Sequence, residues 1–270
     1  MMGSEKPLAH RLRVAAELRM RTDRVGQPRQ SEIRLAEQRL DLGGGYAPVG
    51  WLLLSATLPL LRREVDYVNL ARDRSAGVGD LEVRAKVYLY QDGPVWRPRG
   101  WLGSVRHVAA LQLGVKAPSG PLRSGEDGRL LAAELQPGTG SWDAIVGLAY
   151  TYFHYPWSIY ASATGYLPTV GNERLVIGRS LRSTLVGQYQ LSPAWSGRAG
   201  MDARWVAVSG PASAREPDSG GFIGFAALDV LWSPAVDLVV YGGARLAVLN
   251  RLYGRHHEGP IFALGVAYDL

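Results

Sequence analysis

The chain has 270 residues, 47% of them hydrophobic and 20% charged, with no Cys and a formal net charge of +6. Its hydrophobic content is too ordinary for a bundle of membrane helices, and its charge too balanced for a disordered chain. The absence of Cys excludes disulfide scaffolds, Cys-based zinc sites and thiol catalysis, and arginines spread along the chain give no nucleic-acid footprint.

Residues 1–9 read as a periplasmic lead-in, and the opening Met1–Lys6 carries no secretory leader, so a leader already removed is expected. From Arg11 the chain alternates. Leu12, Val14, Ala16, Leu18 and Met20 oppose Arg11, Arg13, Glu17, Arg19 and Arg21. Alternation at 180° per residue is a strand with one apolar and one polar face. A second such segment starts near Glu32 and a third near Trp51. The uncharged run Leu42–Leu61 has the length of a membrane helix, but three glycines from Gly43 and then Pro48, Gly50 and Pro59 break it into strand, turn and strand. The fourth segment, near Gly79, sets Leu81, Val83, Ala85, Val87 and Leu89 against Glu82, Arg84, Lys86 and Tyr88. Further segments start near His107, Asp143, Trp157, Val176, Trp195, Phe222, Val236 and Pro260.

Twelve segments result, most longer than 10 residues. Globular strands average about 5–6 residues, whereas tilted membrane strands need about 9–11. The connections alternate in length. Short ones lie at Tyr46–Gly50, Tyr155-Pro156, Ser192-Pro193 and Ser233–Ala235. Long ones cover Asp23–Ser31, Arg62–Val78, Pro118–Ser141, Pro168–Leu175, Ser209–Gly221 and Asn250–Gly259. Short periplasmic turns and long external loops are the pattern of outer-membrane barrels. Gln91–Arg106, with Pro94, Trp96, Pro98 and Trp101, breaks the alternation and reads as a longer periplasmic excursion. The expected fold is all-β: one transmembrane antiparallel up-and-down β-barrel of about 12 strands over residues 1–270, in the outer membrane of a Gram-negative bacterium. Trp51, Trp96, Trp101, Trp157, Trp195 and Trp232 fall at predicted periplasmic ends, Trp142 and Trp205 at external ends, as membrane-interface aromatics should.

The polar faces point Arg13, Arg19, Arg39, Arg84, Lys86, Lys116, Arg182, Arg198, Arg204 and Arg245 into the lumen, with Glu82, Asp202 and Asp229 among them. Arg21, Glu17, Glu37, Asp41 and Asp237 share that direction. Two readings stand together: a charged path for small solutes that favours anions, and a lumen zipped shut by Arg–carboxylate pairs. Twelve strands lie between barrels that fill with side chains and those that keep an aqueous channel. The loop Pro118–Ser141, with Arg123, Glu126, Asp127 and Arg129, reads as a solvated surface loop, with an inward constriction or gate as its alternative. His256-His257-Glu258 sits in the last long connection without a third spaced ligand, so no metal or cofactor is expected. His154 faces outward with Pro156 where a lipid hydrolase would place Ser, so no enzyme is expected.

In the last strand Phe262, Leu264, Val266, Tyr268 and Leu270 form one face, and Ala263, Gly265, Ala267 and Asp269 the other. Gly265, Tyr268 and Leu270 resemble the C-terminal signal by which outer-membrane barrels engage the barrel-assembly machinery, with Leu270 in place of the usual final Phe. Leu58-Pro59, Gly77-Val78-Gly79-Asp80-Leu81 running into Ala85-Lys86, Leu113–Gly120, and Gly138-Thr139-Gly140-Ser141 resemble, in order and spacing, the outer-membrane transporter family named for the meta-pathway of phenol degradation. Ala117 stands where that family has a larger apolar residue before Pro. The resemblance implies a roughly twelve-stranded barrel transporting small, including aromatic, molecules. The partners expected are outer-membrane lipid, the assembly machinery and, on the second reading, an envelope assembly that the barrel anchors; nucleic acid is not among them.

Overall fold

The computed structural model describes residues 10–26, 31–69, 71–92, 107–125, 128–172, 175–211, 219–254 and 256–270. The lead-in 1–9, the 93–106 excursion with Trp96 and Trp101, and Glu126 and Asp127 lie outside them.

The strands are β1 Leu12–Val25, β2 Ile33–Val49, β3 Leu52–Asp66, β4 Arg72–Val78, β5 Leu81–Gln91, β6 His107–Ala117, β7 Asp143–His154, β8 Trp157–Pro168, β9 Leu175–Val176, β10 Ser180–Gln190, β11 Trp195–Val206, β12 Gly210–Pro211, β13 Gly221–Ala235, β14 Leu238–Leu252 and β15 His256–Asp269. Each barrel strand pairs antiparallel with its chain neighbour, and β15 returns to pair with β1. β4 and β5 form one broken stave, and β9 and β12 pair only with each other, which leaves twelve staves in a closed ring. Closure matters because lipid offers no partner to an unpaired N–H or C=O.

The direction of every stave follows from side-chain alternation. In β1, Val14, Leu18 and Met20 are exposed on the outer face, while Glu17 and Arg19 lie inside. Leu148, Leu185, Leu228, Phe262 and Leu264 extend the outer apolar belt around the barrel, each more than half exposed. An apolar belt of that extent is stable against lipid chains and not against water.

Three boundaries differ from the sequence reading. Arg62–Val78 is mostly strand: β3 and β4 continue past the belt as a charged hairpin, tied by Arg72–Glu64, Arg72–Asp66 and Arg74–Glu64 pairs of 2.6–3.1 Å. Charge on the outer face hides such a strand from any reading based on apolar alternation. The eighth stave starts at Ser180, and Val176 belongs to the small β9–β12 bridge. His256-His257-Glu258 opens β15 instead of lying in a loop, so the two imidazoles alternate along a strand and do not converge. Among the described residues no metal-ligating cluster occurs.

The β4–β5 break has a local cause. Pro59 of β3 has no N–H to donate, and it accepts a 2.7 Å bond from Gly79 N at the point where the partner stave breaks. Inward residues are odd-numbered in β4 and even-numbered in β5, so the break shifts the side-chain phase by one. Beyond it, β4 pairs with β3 alone among the described residues.

Candidate functional site in the barrel lumen

Two chambers of about 480 and 560 Å³ occupy the interior. Glu17, Arg19, Arg39, Arg63, Arg182 and Tyr241 border both. Of the residues singled out by sequence, Glu82, Arg84 and Lys116 line the first chamber, and Arg198, Asp202, Arg204, Asp229 and Arg245 the second. Arg13 lies on the inner face at the short-turn end, bound to Asp269. Lys86 is on the inner face too, its ammonium 5.2 Å from the Tyr88 ring centre and 5.8 Å from that of Tyr160. Asp237 is the exception: it sits in the turn after β13, 2.6 Å from Arg11, at the rim and not in the lumen. A bulge between Trp232 and Ala235 displaces the turn and ends the inward phase before it.

The interior charges are organised into groups. Glu17 binds Arg19, Arg39 holds Asp41 at 2.7 Å, and Arg19 reaches the same Asp41 at 3.7 Å. Glu37 accepts from Arg63 at 2.7 Å and lies 3.2 Å from Arg21 as an ion pair. Glu258, buried on β15, binds Arg204 and lies 3.6 Å from Arg21. Arg245 bridges Asp202 at 3.1 Å and Asp229 at 3.2 Å. Arg84 donates to Glu82 and to the Tyr166 hydroxyl. Arg198 donates to Gln188 Oε1 at 3.0 Å. Glu37 with Arg63 and Arg21, and Arg198 with Gln188, are facing pairs on adjacent strands. Glu17–Arg19, Arg39–Asp41 and Arg84–Glu82 are two apart on one strand, and Arg204–Glu258, Arg245–Asp202 and Arg84–Tyr166 join strands that are not neighbours.

The long loop after β6 is divided between surface and interior. Leu122 and Leu130 are exposed, but Leu135, Gln136 and Ser141 are buried. Arg63 on the inner face of β3 donates to the carbonyls of Glu134 at 3.1 Å and Gln136 at 2.7 Å. Pro137 and Thr139 line the first chamber. The purely solvated reading of this loop is therefore wrong for its second half. The anchor is a polar knot that sequence inspection did not single out. The Asp80 carboxylate accepts from Gly120 N at 3.1 Å, Thr139 N at 2.8 Å and Thr139 Oγ1 at 2.7 Å. Lys116 Nζ lies 2.7 Å from Asp143 and from Thr139 Oγ1, and Ser141 Oγ donates to Asp143 at 2.7 Å. A Cβ on Gly120 would stand 2.5 Å from Gly138 Cα, so the loop's two limbs touch only because both residues are glycine. The signal was present: the motifs around Asp80, Lys116, Gly120 and Thr139 quoted for the family resemblance are the ones that meet here.

The tryptophans Trp51, Trp157, Trp195 and Trp232 are exposed at the short-turn end, and Trp142 and Trp205 at the other. Trp195 and Trp232 are cross-strand partners with ring centres 5.9 Å apart. On β15, Gly265 faces inward beneath Tyr241, Tyr268 faces outward, and Leu270 exchanges backbone hydrogen bonds with Leu12 at 2.7 and 3.2 Å. His154 is exposed, its ring stacked on Tyr152.

No protein-family model and no curated protein matches the sequence. Solved structures do match. An outer-membrane channel from Pseudomonas putida F1 superposes with a TM-score of 0.75 at 14% identity, over 100% of this chain and 99% of that one. The translocator domain of the autotransporter NalP from Neisseria meningitidis gives 0.53 at 12% identity, over 98% and 90%. A deletion mutant of TodX, a monoaromatic hydrocarbon channel, gives 0.52 at 10% identity, over 97% and 90%. The fold is thus a closed twelve-stranded transmembrane β-barrel of the outer-membrane type. Channels and a translocator domain share it, so the fold does not by itself select a function.

Proposed function

We propose that this protein is a passive outer-membrane channel for small solutes, its route lined by Arg13, Arg19, Arg39, Glu82, Arg84, Lys86, Lys116, Arg182, Arg198, Asp202, Arg204, Asp229 and Arg245. The observation that carries the reading is the pair of interior chambers that share six lining residues. The resemblance to the family named for the phenol meta-pathway supports the same reading, as does the likeness to the Pseudomonas putida channel. The protein resides in the bacterial outer membrane. Trp51, Trp142, Trp157, Trp195, Trp205 and Trp232 seat it at the two interfaces, where amphipathic rings partition. Gly265, Tyr268 and Leu270 carry the signal for the barrel-assembly machinery, and no catalytic step is assigned.

The test is a planar bilayer with the purified barrel, recorded at both polarities under a salt gradient. Discrete conductance with anion preference is expected. A second reading, a plugged barrel that anchors an envelope assembly, is favoured by the arginine–carboxylate groups and by the inward half of the 118–142 loop. A folded but silent barrel that co-purifies with a stoichiometric partner would select it.

A further inference from the structure

One interior guanidinium differs from its neighbours. Arg182 on β10 is exposed, whereas Arg19, Arg39, Arg63, Arg84 and Arg204 are partly buried. Its guanidinium stacks 4.4 Å from the centre of the Tyr166 ring. Among the described residues no carboxylate lies within ion-pair distance of it and no acceptor takes its N–H groups. Arg204 stands directly opposite it on β11, and like charges in that position repel unless each is neutralised. Arg204 is neutralised by Glu258, and Arg39 and Arg19 by Asp41 and Glu17. The excess at this point is a single positive charge, presented as a planar fork to both chambers.

A planar fork with no internal acceptor matches the two oxygens of a carboxylate, two parallel N–H···O bonds being the strong geometry for that pair. One net charge suits a monoanion; a phosphate dianion would call for a second free cation. Tyr166 fixes the plane of the fork: Arg84 holds the phenol by its hydroxyl while Arg182 lies on the ring face. We propose that Arg182 is the recognition point for the carboxylate of a small organic monoanion inside this barrel. The proposal rests on the channel reading for the solute's way in, but not for its binding. Arg198, six residues further along the paired strands and opposite Gln188, gives a second position about 20 Å away at roughly 3.3 Å per residue. Two weak stations in series suit passage better than one tight one.

The test combines binding and current. Saturation-transfer NMR in detergent micelles measures sodium propionate binding to the wild type, R182Q, R182K and, as a surface control, R11Q. Saturable binding is expected in the wild type and R11Q, weakened roughly tenfold or more in R182Q, with R182K between them. Equal affinity in R182Q and wild type would overturn the proposal. If R182Q does not fold, R182K decides: undiminished affinity there means that the fork is not read. Tighter binding of methylphosphonate than of propionate overturns the monocarboxylate class. Bilayer recording in potassium propionate separates the two claims. Arg182-dependent binding in a silent barrel refutes the channel and keeps the site, whereas conduction with Arg182-independent binding refutes the site and keeps the channel.

Discussion

Tyr241 lies across Gly265 on the inner wall. The two are register partners on β14 and β15, and the phenol passes over the glycine to give its hydroxyl to Glu17 on β1, two strands away. The contact spans the strands that close the ring, so it fastens the closing seam from inside. A Cβ at position 265 would stand 2.3 Å from the Tyr241 ring. Gly265→Ala should displace the ring and lower stability by about 1–3 kcal/mol, the usual cost of overpacking. Tyr241→Phe keeps the ring and loses the hydrogen bond to a charged acceptor, about 1.5–3 kcal/mol. Urea unfolding in vesicles measures both, and the pair should be non-additive because one ring is involved. Additive losses would mean that the two residues act separately.

Asp80 holds three donors from the long loop. Asp80→Ala leaves the Gly120 and Thr139 amides and the Thr139 hydroxyl short of their acceptor, while Lys116 keeps Asp143 and the barrel ladder is untouched. Protease added to intact cells should then cut between residues 119 and 141 at least several-fold faster than in wild type. An unchanged cleavage rate would show that Arg63 and Gln136 suffice to keep the loop in.

Asp229 serves Arg245 and faces Arg198 in register. Asp229→Asn removes one negative charge from the second chamber and leaves Arg245 with Asp202 alone. Reversal potentials under a salt gradient should move further toward anion preference. A shift toward cations would reverse the assignment of this wall.

Trp195 and Trp232 stack across β11 and β13 at the short-turn end. Trp232→Ala removes the pair, worth about 0.5–1.5 kcal/mol beyond its buried area, together with an interfacial anchor. Faster unfolding from vesicles is expected, and a fluorescence quencher held at headgroup depth should lose part of its effect on Trp195. An unaltered rate would place this end outside the interface.

The staves and the direction of their side chains were legible because a period-two pattern is local: Leu12 to Met20 states its own faces without help from β2. The individual ion pairs were not legible: Arg204 on β11 finds Glu258 on β15, with β13 and β14 between them, only once the closed ring has curved the two inner faces toward each other. The outer half of β3 and β4 was lost for another reason. Arg72, Arg74 and Glu64 face outward beyond the apolar belt, where a strand carries charge on both faces and resembles a loop. The inward half of the 118–142 segment left only its glycines as a trace, and closeness of Gly120 to Gly138 is a property of the folded loop.

The one-sided pairing of β4 bears on how the gene can be edited. At its outer rim β4 has no strand on its second edge among the described residues, and the segment carrying Leu135 and Pro137 lies against that stretch from within. Its length is consequently matched to that edge. The hairpin between β14 and β15 could be lengthened by an epitope tag at little cost, whereas shortening 118–142 by a few residues would pull Leu135 and Pro137 away from β4.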